Sequence, residues 1–275
     1  MITFSKLGVN GSIGNQMFQY ATLLSVALKN KYEYVIPEVD DYYNHDYERQ
    51  EIYFKKGFKN ISAERLSPAN LLKISNKFNQ CHGEIFKFSP QVFNIPNNCD
   101  IFGYFQSYKY FIDFKDKIIN EFTFNDYLFD NINIELINVA NKCSSIHIRA
   151  GDYKRKQNVH GLLDLNYYAE AIALCETDKF LIFSDDNNYA EKILQEIETK
   201  VDLIFIKNNN PFLDLLLMSL CKNNIIANST FSWWAAFLNK HEDKTVVAPK
   251  TWFGPDLSGQ NIWVKDLIPD KWIMI

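Results

Sequence analysis

Two features of membrane and secreted proteins are missing from the sequence. No run of apolar residues is long enough to cross a bilayer, and the chain does not open on a basic segment followed by an apolar one. The most apolar stretch, residues 212–221, is short and contains Asp214. We therefore expect a cytoplasmic protein, with at most a peripheral association at the inner face of the membrane.

A cysteine pattern that would indicate a metal site or a disulfide framework is also missing. The five cysteines are scattered, odd in number and form no Cys-x-x-Cys pair (Cys81, Cys99, Cys143, Cys175 and Cys221). This pattern predicts reduced, mostly buried thiols. The Asp185–Asp186 pair is adjacent rather than spaced, and we find no His/Asp/Glu cluster that would complete a metal site. The sequence therefore predicts no metal and no cofactor.

An excess of positive charge is absent as well. The chain has 29 Lys and Arg against 33 Asp and Glu, a formal net charge of −4. Nucleic-acid-binding domains are usually basic, so we expect no nucleic-acid partner. The composition does not exclude a local basic pocket for a phosphate.

The chain does have the material for a large core and for two domains. It has 275 residues, of which 47% are hydrophobic and 15% aromatic. Its first half gives predicted strands over residues 2–7, 33–36 and 100–105, and predicted helices over 15–29, 66–78 and 108–122. No structure is predicted for the Tyr-rich residues 40–53. We place a domain boundary near residue 138, which gives domains 1–138 and 139–275.

The second half alternates strand and helix patterns. Predicted strands cover residues 144–149, 180–184, 201–206, 224–227 and 245–248, and predicted helices cover 166–175, 189–198, 211–221 and 232–239. Alternation at this spacing predicts an α/β domain with a parallel sheet covered on both faces.

Two polar residues end the first strand of that sheet. His147 and Arg149 alternate with Ile146 and Ile148, so the polar side chains share one face of the strand. Central strands of such sheets are usually apolar on both faces, and ligands bind beyond their carboxyl ends. The pattern therefore favours a ligand site. An Arg149–Asp152 ion pair that closes a turn, with a buried core histidine, explains it equally well.

A second polar segment lies between a later strand and its helix. The strand ends at Asn228, and Ser229, Thr230 and Ser232 precede or open the apolar helix. Hydroxyls, backbone N–H groups and the helix dipole then point at one place, which is typical of a phosphate site. The alternative is helix capping by Ser229 or Thr230.

Two weaker signals complete the set. Glycines 8, 11 and 14 precede the first helix and would let a ligand approach the backbone, although they match neither GxGxxG nor a P-loop. Asp185, at the end of the strand over 180–184, could accept hydrogen bonds from a base or ribose, while Ser184 or Asp186 could equally cap the next helix. Together the signals indicate a metal-free anion pocket, which suits a departing nucleoside diphosphate.

Ordered blocks along the chain resemble one family. They are GSIGNQMFQYA, GYFQSYKYF, IHIRAGDY, FSDD, IIANSTFSWWAAFLN and APKTWF, from residue 11 to residue 253. Through these blocks the chain is similar to the α-1,2-fucosyltransferases of glycosyltransferase family 11. The resemblance implies a GT-B-type fold, with two Rossmann-like domains facing across a cleft. It also implies inverting transfer from GDP-β-L-fucose to the 2-hydroxyl of a galactoside, on a galactose-terminated oligosaccharide or lipid-linked glycan such as an O-antigen or capsule unit.

The resemblance also implies roles for single residues. Arg149 would contact the donor pyrophosphate with His147 beside it, and Asp185 would contact guanine or ribose. The acceptor would lie mostly against the N-terminal domain. Further donor-binding positions are implied at the first glycine-rich turn and at the second polar segment (Gly14, Asn15, Asn228, Ser229, Thr230, Phe231 and Ser232). Asp152 is the first candidate for the general base and His147 the second. The alternative for Asp152 is that it only fixes the loop and orients Arg149.

One position departs from the family pattern. Members usually read His-x-Arg-Arg-Gly-Asp-Tyr, and Ala150 stands here for the second arginine. We therefore predict that Arg149 alone holds the pyrophosphate, unless Lys154, Arg155 or Lys156 compensates. The rival hypotheses are the same fold with another linkage or sugar nucleotide, and a sugar-nucleotide-binding module without turnover. A nucleotide hydrolase is disfavoured because we see no metal cluster or activated nucleophile.

Overall fold

The computed structural model describes residues 1–9, 11–38, 42–44, 47–50, 54–84, 86–207 and 210–275. Its contacts divide the chain into two compact units, Met1–Asn125 and Asp126–Ile275. Of the segment over 40–53, for which no structure was predicted, residues 40, 41, 45, 46 and 51–53 lie outside the described residues.

The first unit is built on a parallel sheet of five strands in the order β5-β2-β1-β7-β6. Its strands are β1 (Ile2–Thr3), β2 (Tyr34–Pro37), β3 (Tyr42–Asn44), β4 (Tyr47–Gln50), β5 (Glu64–Leu66), β6 (Asn79–His82) and β7 (Cys99–Phe102), with β3 and β4 forming an antiparallel pair outside the sheet. Its helices are α1 (Ile13–Asn30), α2 (Phe54–Gly57), α3 (Pro68–Ser75) and α4 (Lys115–Glu121), with 3₁₀ turns at Pro90–Asn94, Tyr108–Tyr110 and Ile112–Phe114.

The predicted helix over residues 108–122 is wrong in its first half. Two 3₁₀ turns precede α4, and the chain leaves helical geometry at Phe111, with φ −140° and ψ 4°. The Phe111 ring is fully buried against Phe18 of α1, with ring centroids 5.8 Å apart. Burial of this aromatic side chain therefore overrides local helix propensity.

The second unit carries a parallel sheet of six strands in the order β10-β9-β8-β11-β12-β13. These strands are β8 (Ser144–Ile148), β9 (Lys179–Ser184), β10 (Asp202–Phe205), β11 (Asn223–Ile225), β12 (Val246–Ala248) and β13 (Ile273–Met274). The helices are α5 (Asp126–Asp130), α6 (Ile134–Ala140), α7 (Gln157–His160), α8 (Leu165–Leu174), α9 (Asn187–Gln195), α10 (Pro211–Leu220), α11 (Thr230–Leu238) and α12 (Val264–Leu267), with 3₁₀ helices at Asp152–Arg155 and Pro255–Trp263.

The predicted α/β alternation of the second half is therefore confirmed. Phe180, Leu181 and Ile182 of β9 are fully buried, as expected for a central parallel strand covered on both faces. On one face Ile146 and Ile182 pack with Tyr168 and Ile172 of α8 in a single apolar cluster.

The division between the units falls before α5, whereas the sequence placed a boundary near residue 138. Helices α5 and α6 pack on α10 of the second unit, and Leu128 and Ala140 are fully buried. The functional assignment of the two domains is not tested by this division and stays a prediction.

Two of the five cysteines differ from the prediction of reduced thiols. Cys81 and Cys99, on the neighbouring strands β6 and β7, are joined as a disulfide with Cα atoms 6.1 Å apart. A sequence separation of 18 residues gave no indication that strand pairing would bring them together. Cys143, Cys175 and Cys221 are free and buried, as predicted.

Candidate active site

The strand order of the second sheet reverses between β8 and β11. The chain runs from β8 outward through β9 to β10, then returns to the other side of β8 with β11. Doubly wound sheets bind ligands beyond the carboxyl ends of their strands at such a reversal. The residues that follow β8 and β11 are the two polar segments singled out from the sequence.

Arg149 follows β8 directly and is held by two carboxylates. Its Nη2 lies 2.6 Å from Asp152 Oδ1, and its Nη1 lies 2.8 Å from Asp185 Oδ2. The ion pair considered as the alternative for this segment is thus present. The side chain nevertheless stays 32% exposed, so the guanidinium is restrained in direction and remains open to a ligand.

Asp185 holds both the side chain and the backbone beside Arg149. Its Oδ1 accepts a 2.8 Å hydrogen bond from the Ala150 N–H, while Oδ2 pairs with Arg149. A Cβ atom on Gly151 would lie 2.4 Å from Asp185 Oδ2, so only glycine leaves room for this contact. Asp186, the next residue, caps α9 by accepting from Tyr189 N. The guanine or ribose contact of Asp185 remains a prediction.

Asp152 is a weak base in this setting. Burial pushes the pKa of Asp152 up, but the positive charges of Arg149 and Lys156 outweigh it and hold the pKa below the ordinary value. Lys156 Nζ lies 3.6 Å from Asp152 Oδ2. A carboxylate stabilised in this way takes a proton less readily than an isolated one.

His147 is buried between β8 and α11. Its Nδ1 lies 2.9 Å from Ser232 Oγ. The Ser232 hydroxyl also donates to Ser229 O at 3.3 Å. The pKa of His147 is lowered to about 4, mainly by burial; the Asp185 carboxylate opposes this shift and the Arg149 charge adds to it. The imidazole is therefore neutral at physiological pH.

The three hydroxyl residues at the start of α11 have different environments. Ser229 is the N-cap and accepts from Phe231 N, as in the capping alternative, and Ser232 bonds His147. Thr230 is partly exposed at the first helical position, and the Phe231 ring lies 5.7 Å from the His147 ring. The helix thus brings its N-terminal dipole to the place where β8 ends.

Asn228 ties three chain segments together. Its side-chain amide donates to the carbonyls of His160, Gly161 and Trp252 at 3.4, 3.1 and 2.9 Å. Its backbone carbonyl accepts from the Tyr153 hydroxyl. The side-chain N–H groups of Asn228 are thus directed to the chain itself, and its donor-binding role stays a prediction.

The cations near Ala150 differ in their availability. Ala150 is fully buried. Lys154 pairs with Asp186 and lies over the Tyr189 ring, whereas Arg155 is exposed. Of the three cations considered as compensation, Lys156 is the one that contacts Asp152 in the Arg149 cluster.

The first unit presents its own polar residues at a strand-order reversal, between β1 and β7. Asn15 lies in the first turn of α1 and its Oδ1 accepts from Gln106 Nε2 at 2.9 Å. Gly14 is buried beside it. Gly11 has φ +86°, and a Cβ there would lie 2.2 Å from the Asn15 side chain, so this glycine is needed for the position of Asn15.

Two aromatic rings next to Arg149 were not predicted from the sequence. The guanidinium carbon lies 5.2 Å above the Tyr153 ring, and that ring stacks on His160 at 4.5 Å with planes 10° apart. The Tyr153 of the quoted IHIRAGDY block was an available signal. His160 had none, because it comes from a separate helix, α7.

Over the described ranges no group of three or more His, Cys, Asp and Glu side chains is arranged to hold a metal ion. Among those same residues no helix combines the length and apolarity needed to cross a membrane.

The two α/β units, each built on a parallel sheet, have a fold of the GT-B type. The fold is similar to that of solved fucosyltransferases. NodZ α-1,6-fucosyltransferase matches with a TM-score of 0.52 and 13% identity over 86% of this chain and 91% of that one. POFUT1 in complex with GDP-fucose matches with a TM-score of 0.51 and 13% identity over 89% and 97%.

The chain belongs to glycosyltransferase family 11, whose model matches residues 2–272. It is 32% identical to the O-antigen biosynthesis glycosyltransferase WbnK of Escherichia coli, over 96% of this chain and 98% of that protein. It is 28% identical to an α-1,2-colitosyltransferase of Escherichia coli, over 96% of both. A galactoside α-(1,2)-fucosyltransferase 1 of Rattus norvegicus is 26% identical over 83% of this chain and 61% of that protein. The predicted family, GT-B-type fold and enzyme class are thereby confirmed.

Proposed function

We propose that this glycosyltransferase moves L-fucose from GDP-β-L-fucose to the 2-hydroxyl of a galactoside during synthesis of a bacterial surface glycan. The α-1,2 linkage and the O-antigen role named for relatives support this proposal, and GDP-fucose binding by solved neighbours of the fold supports the donor. The observation that carries it is the Arg149 cluster at the reversal between β8 and β11. An α-linked product from a β-linked donor requires inversion.

The largest change in charge during the reaction occurs on the leaving group. As the bond from the fucose anomeric carbon to the diphosphate oxygen breaks, negative charge grows on GDP. The Arg149 guanidinium and the N-terminus of α11 are fixed donors for that charge, and preorganised donors lower such barriers strongly. In this proposal the protein residues supply the stabilisation, and no metal is required.

The acceptor hydroxyl must lose a proton while the new bond forms. Asp152 remains the first candidate base and His147 the second. The ion pairs of Asp152 make it a weak base, which suits a dissociative reaction whose sugar carries positive charge before the acceptor attacks. Ser229, Thr230, Phe231 and the first-unit residues Gly14 and Asn15 keep their proposed donor-binding roles.

A second candidate donor follows from the similarity to an α-1,2-colitosyltransferase. Colitose is L-fucose without the 3-hydroxyl, so the same phosphate site serves either donor. Whether a group of this chain hydrogen-bonds the 3-hydroxyl decides between them, because a buried partner left unpaired is costly.

A comparison of donors tests the proposal. Purified protein is given GDP-fucose, GDP-colitose or GDP-mannose with a panel of β-galactosides, and GDP release is measured with and without each acceptor. We expect acceptor-dependent release with GDP-fucose. Release with GDP-colitose alone would assign the second candidate. Binding of GDP-fucose without release on any acceptor would contradict the transferase proposal for this donor.

A further inference from the structure

The Tyr153 ring joins Arg149 to a histidine outside the predicted site. The guanidinium carbon of Arg149 lies 5.2 Å from the ring centroid. The His160 imidazole stacks on the same ring at 4.5 Å, with the planes nearly parallel at 10°. Both contacts restrict the directions available to the rings and the guanidinium, and such contacts are favourable for aromatic pairs and cations.

The backbone of His160 and its neighbours is held in place by hydrogen bonds from other segments. Asn228 donates to the His160 and Gly161 carbonyls, and the Gly254 N–H donates to Val159 O at 2.9 Å. The same Asn228 accepts from the Tyr153 hydroxyl through its backbone carbonyl. Tyr153 and His160 are therefore fixed to one anchor.

We propose that His160 is a positioning residue for donor binding, which orients Arg149 by stacking on the Tyr153 ring. The inference deepens the proposed function and rests on it. Asp152 and Asp185 form ion pairs with the two terminal nitrogens of Arg149. A bound diphosphate would compete with these carboxylates for the same nitrogens. A flat surface under the guanidinium keeps its plane fixed while its partners change, so less order has to be created when the diphosphate binds.

The protonation states of the two rings suit this role. Burial raises the pKa of Tyr153 to about 12, so its hydroxyl remains a donor to Asn228. Burial lowers the pKa of His160, and the charges of Lys156 and Arg149 lower it further against the opposing effect of Asp152. A neutral imidazole stacked on the ring adds no charge to repel the guanidinium.

Calorimetric titration of the full chain with GDP tests the inference. We expect His160→Ala to weaken GDP binding about tenfold, and His160→Phe, which restores a flat ring, to stay within about twofold of the wild type. His160→Leu keeps much of the volume without an aromatic ring and should behave like His160→Ala. It replaces that variant if His160→Ala fails to fold.

His241 provides the matched control. It is also half-buried, and its Nε2 lies 3.1 Å from Leu220 O. His241→Ala should lower the melting temperature and leave GDP affinity unchanged. Equal weakening by His241→Ala would show a general loss of stability and overturn the inference.

A double substitution separates a positioning role from a direct contact. In a Tyr153→Leu background, His160→Ala should weaken GDP binding by less than about twofold further, because the path through the ring is already cut. Additive weakening, or equal affinities for His160→Phe and His160→Ala, would overturn the inference. The proposed donor site is tested separately, by GDP binding of the wild type and its loss in Arg149→Ala, and the transferase activity by acceptor-dependent GDP release.

Discussion

Arg149 combines a charge, a fixed direction and partial exposure. Two carboxylates and the Tyr153 ring hold its guanidinium, and Ala150 adds no second cation beside it. A lysine at this position would keep the charge but would lose the planar fork that reaches Asp152, Asp185 and a phosphate together.

We therefore expect Arg149→Lys to lower kcat/KM for the sugar nucleotide about 10²-fold, and Arg149→Ala about 10³-fold. Initial rates over a range of donor concentrations measure the effect. The matched control is Arg155→Lys, because Arg155 is exposed six positions later in the same loop region. Full activity of Arg149→Lys would contradict the bidentate role.

His147 gives a prediction for stability as a function of pH. Its pKa is about 4 in the folded protein, against about 6.5 when unfolded. Below pH 6.5 the unfolded chain binds the proton more readily than the folded protein. The contribution of His147 to the free energy of unfolding therefore decreases as the pH is lowered to about 4, and then levels off. The full difference is of the order of 3 kcal/mol.

Urea unfolding of wild type and His147→Gln between pH 7 and pH 4 checks this prediction. Carboxylates titrate in both proteins, so the measured quantity is the difference between the two free energies of unfolding. The wild type should lose more stability than the variant as the pH falls. Parallel curves would show that His147 is not buried in neutral form.

At the scale of elements, the carboxyl ends of β8 and β11 create the site. The alternation of short apolar runs with helical patterns was enough to predict these strands and the helices after them, although β8 and β11 also contain Ser, His or Asn residues. The short or edge strands β5, β6 and β13 were missed. Their residues are partly exposed and carry no such run.

The candidate residues were predictable where each group forms a local pattern at the end of one strand. His147, Arg149 and Asp152 were found because they occupy one strand end. The anchor from Asn228 to His160 spans 68 residues, and the stack of His160 on Tyr153 depends on how α7 is folded back. No local pattern encodes such a contact.

A substitution of Gly254 tests whether the position of α7 depends on its close contact with the backbone at residue 254. A Cβ at this position would lie 2.3 Å from Gln157 O and 2.6 Å from Asn158 O, both backbone atoms. Gly254→Ala should therefore displace α7 and lower the free energy of unfolding by about 1–3 kcal/mol. Gly259→Ala is the matched control, since nothing lies within 4 Å of its added Cβ. Equal stability of the two variants in urea titrations would contradict this account of α7.

For the whole molecule, the two units carry separate polar clusters at the reversals of their own sheets. In the proposed function, the donor diphosphate binds at the second unit and the acceptor mostly at the first. Arg149 and the α11 N-terminus would then act in place of a divalent cation. We therefore expect the initial transfer rate to change by less than about twofold in excess EDTA. A large loss restored by Mg²⁺ or Mn²⁺ would contradict this prediction.

The most direct test of the central claim is NMR analysis of the product formed from GDP-fucose. The acceptors are lactose, lacto-N-biose, N-acetyllactosamine and galactosyl-β-1,3-GalNAc, with Arg149→Ala as the control enzyme. We expect an α-linked fucose on the galactose 2-hydroxyl, formed by the wild type and lost in the variant. A fucoside with a different linkage or anomeric configuration, or an equal yield from Arg149→Ala, would contradict it.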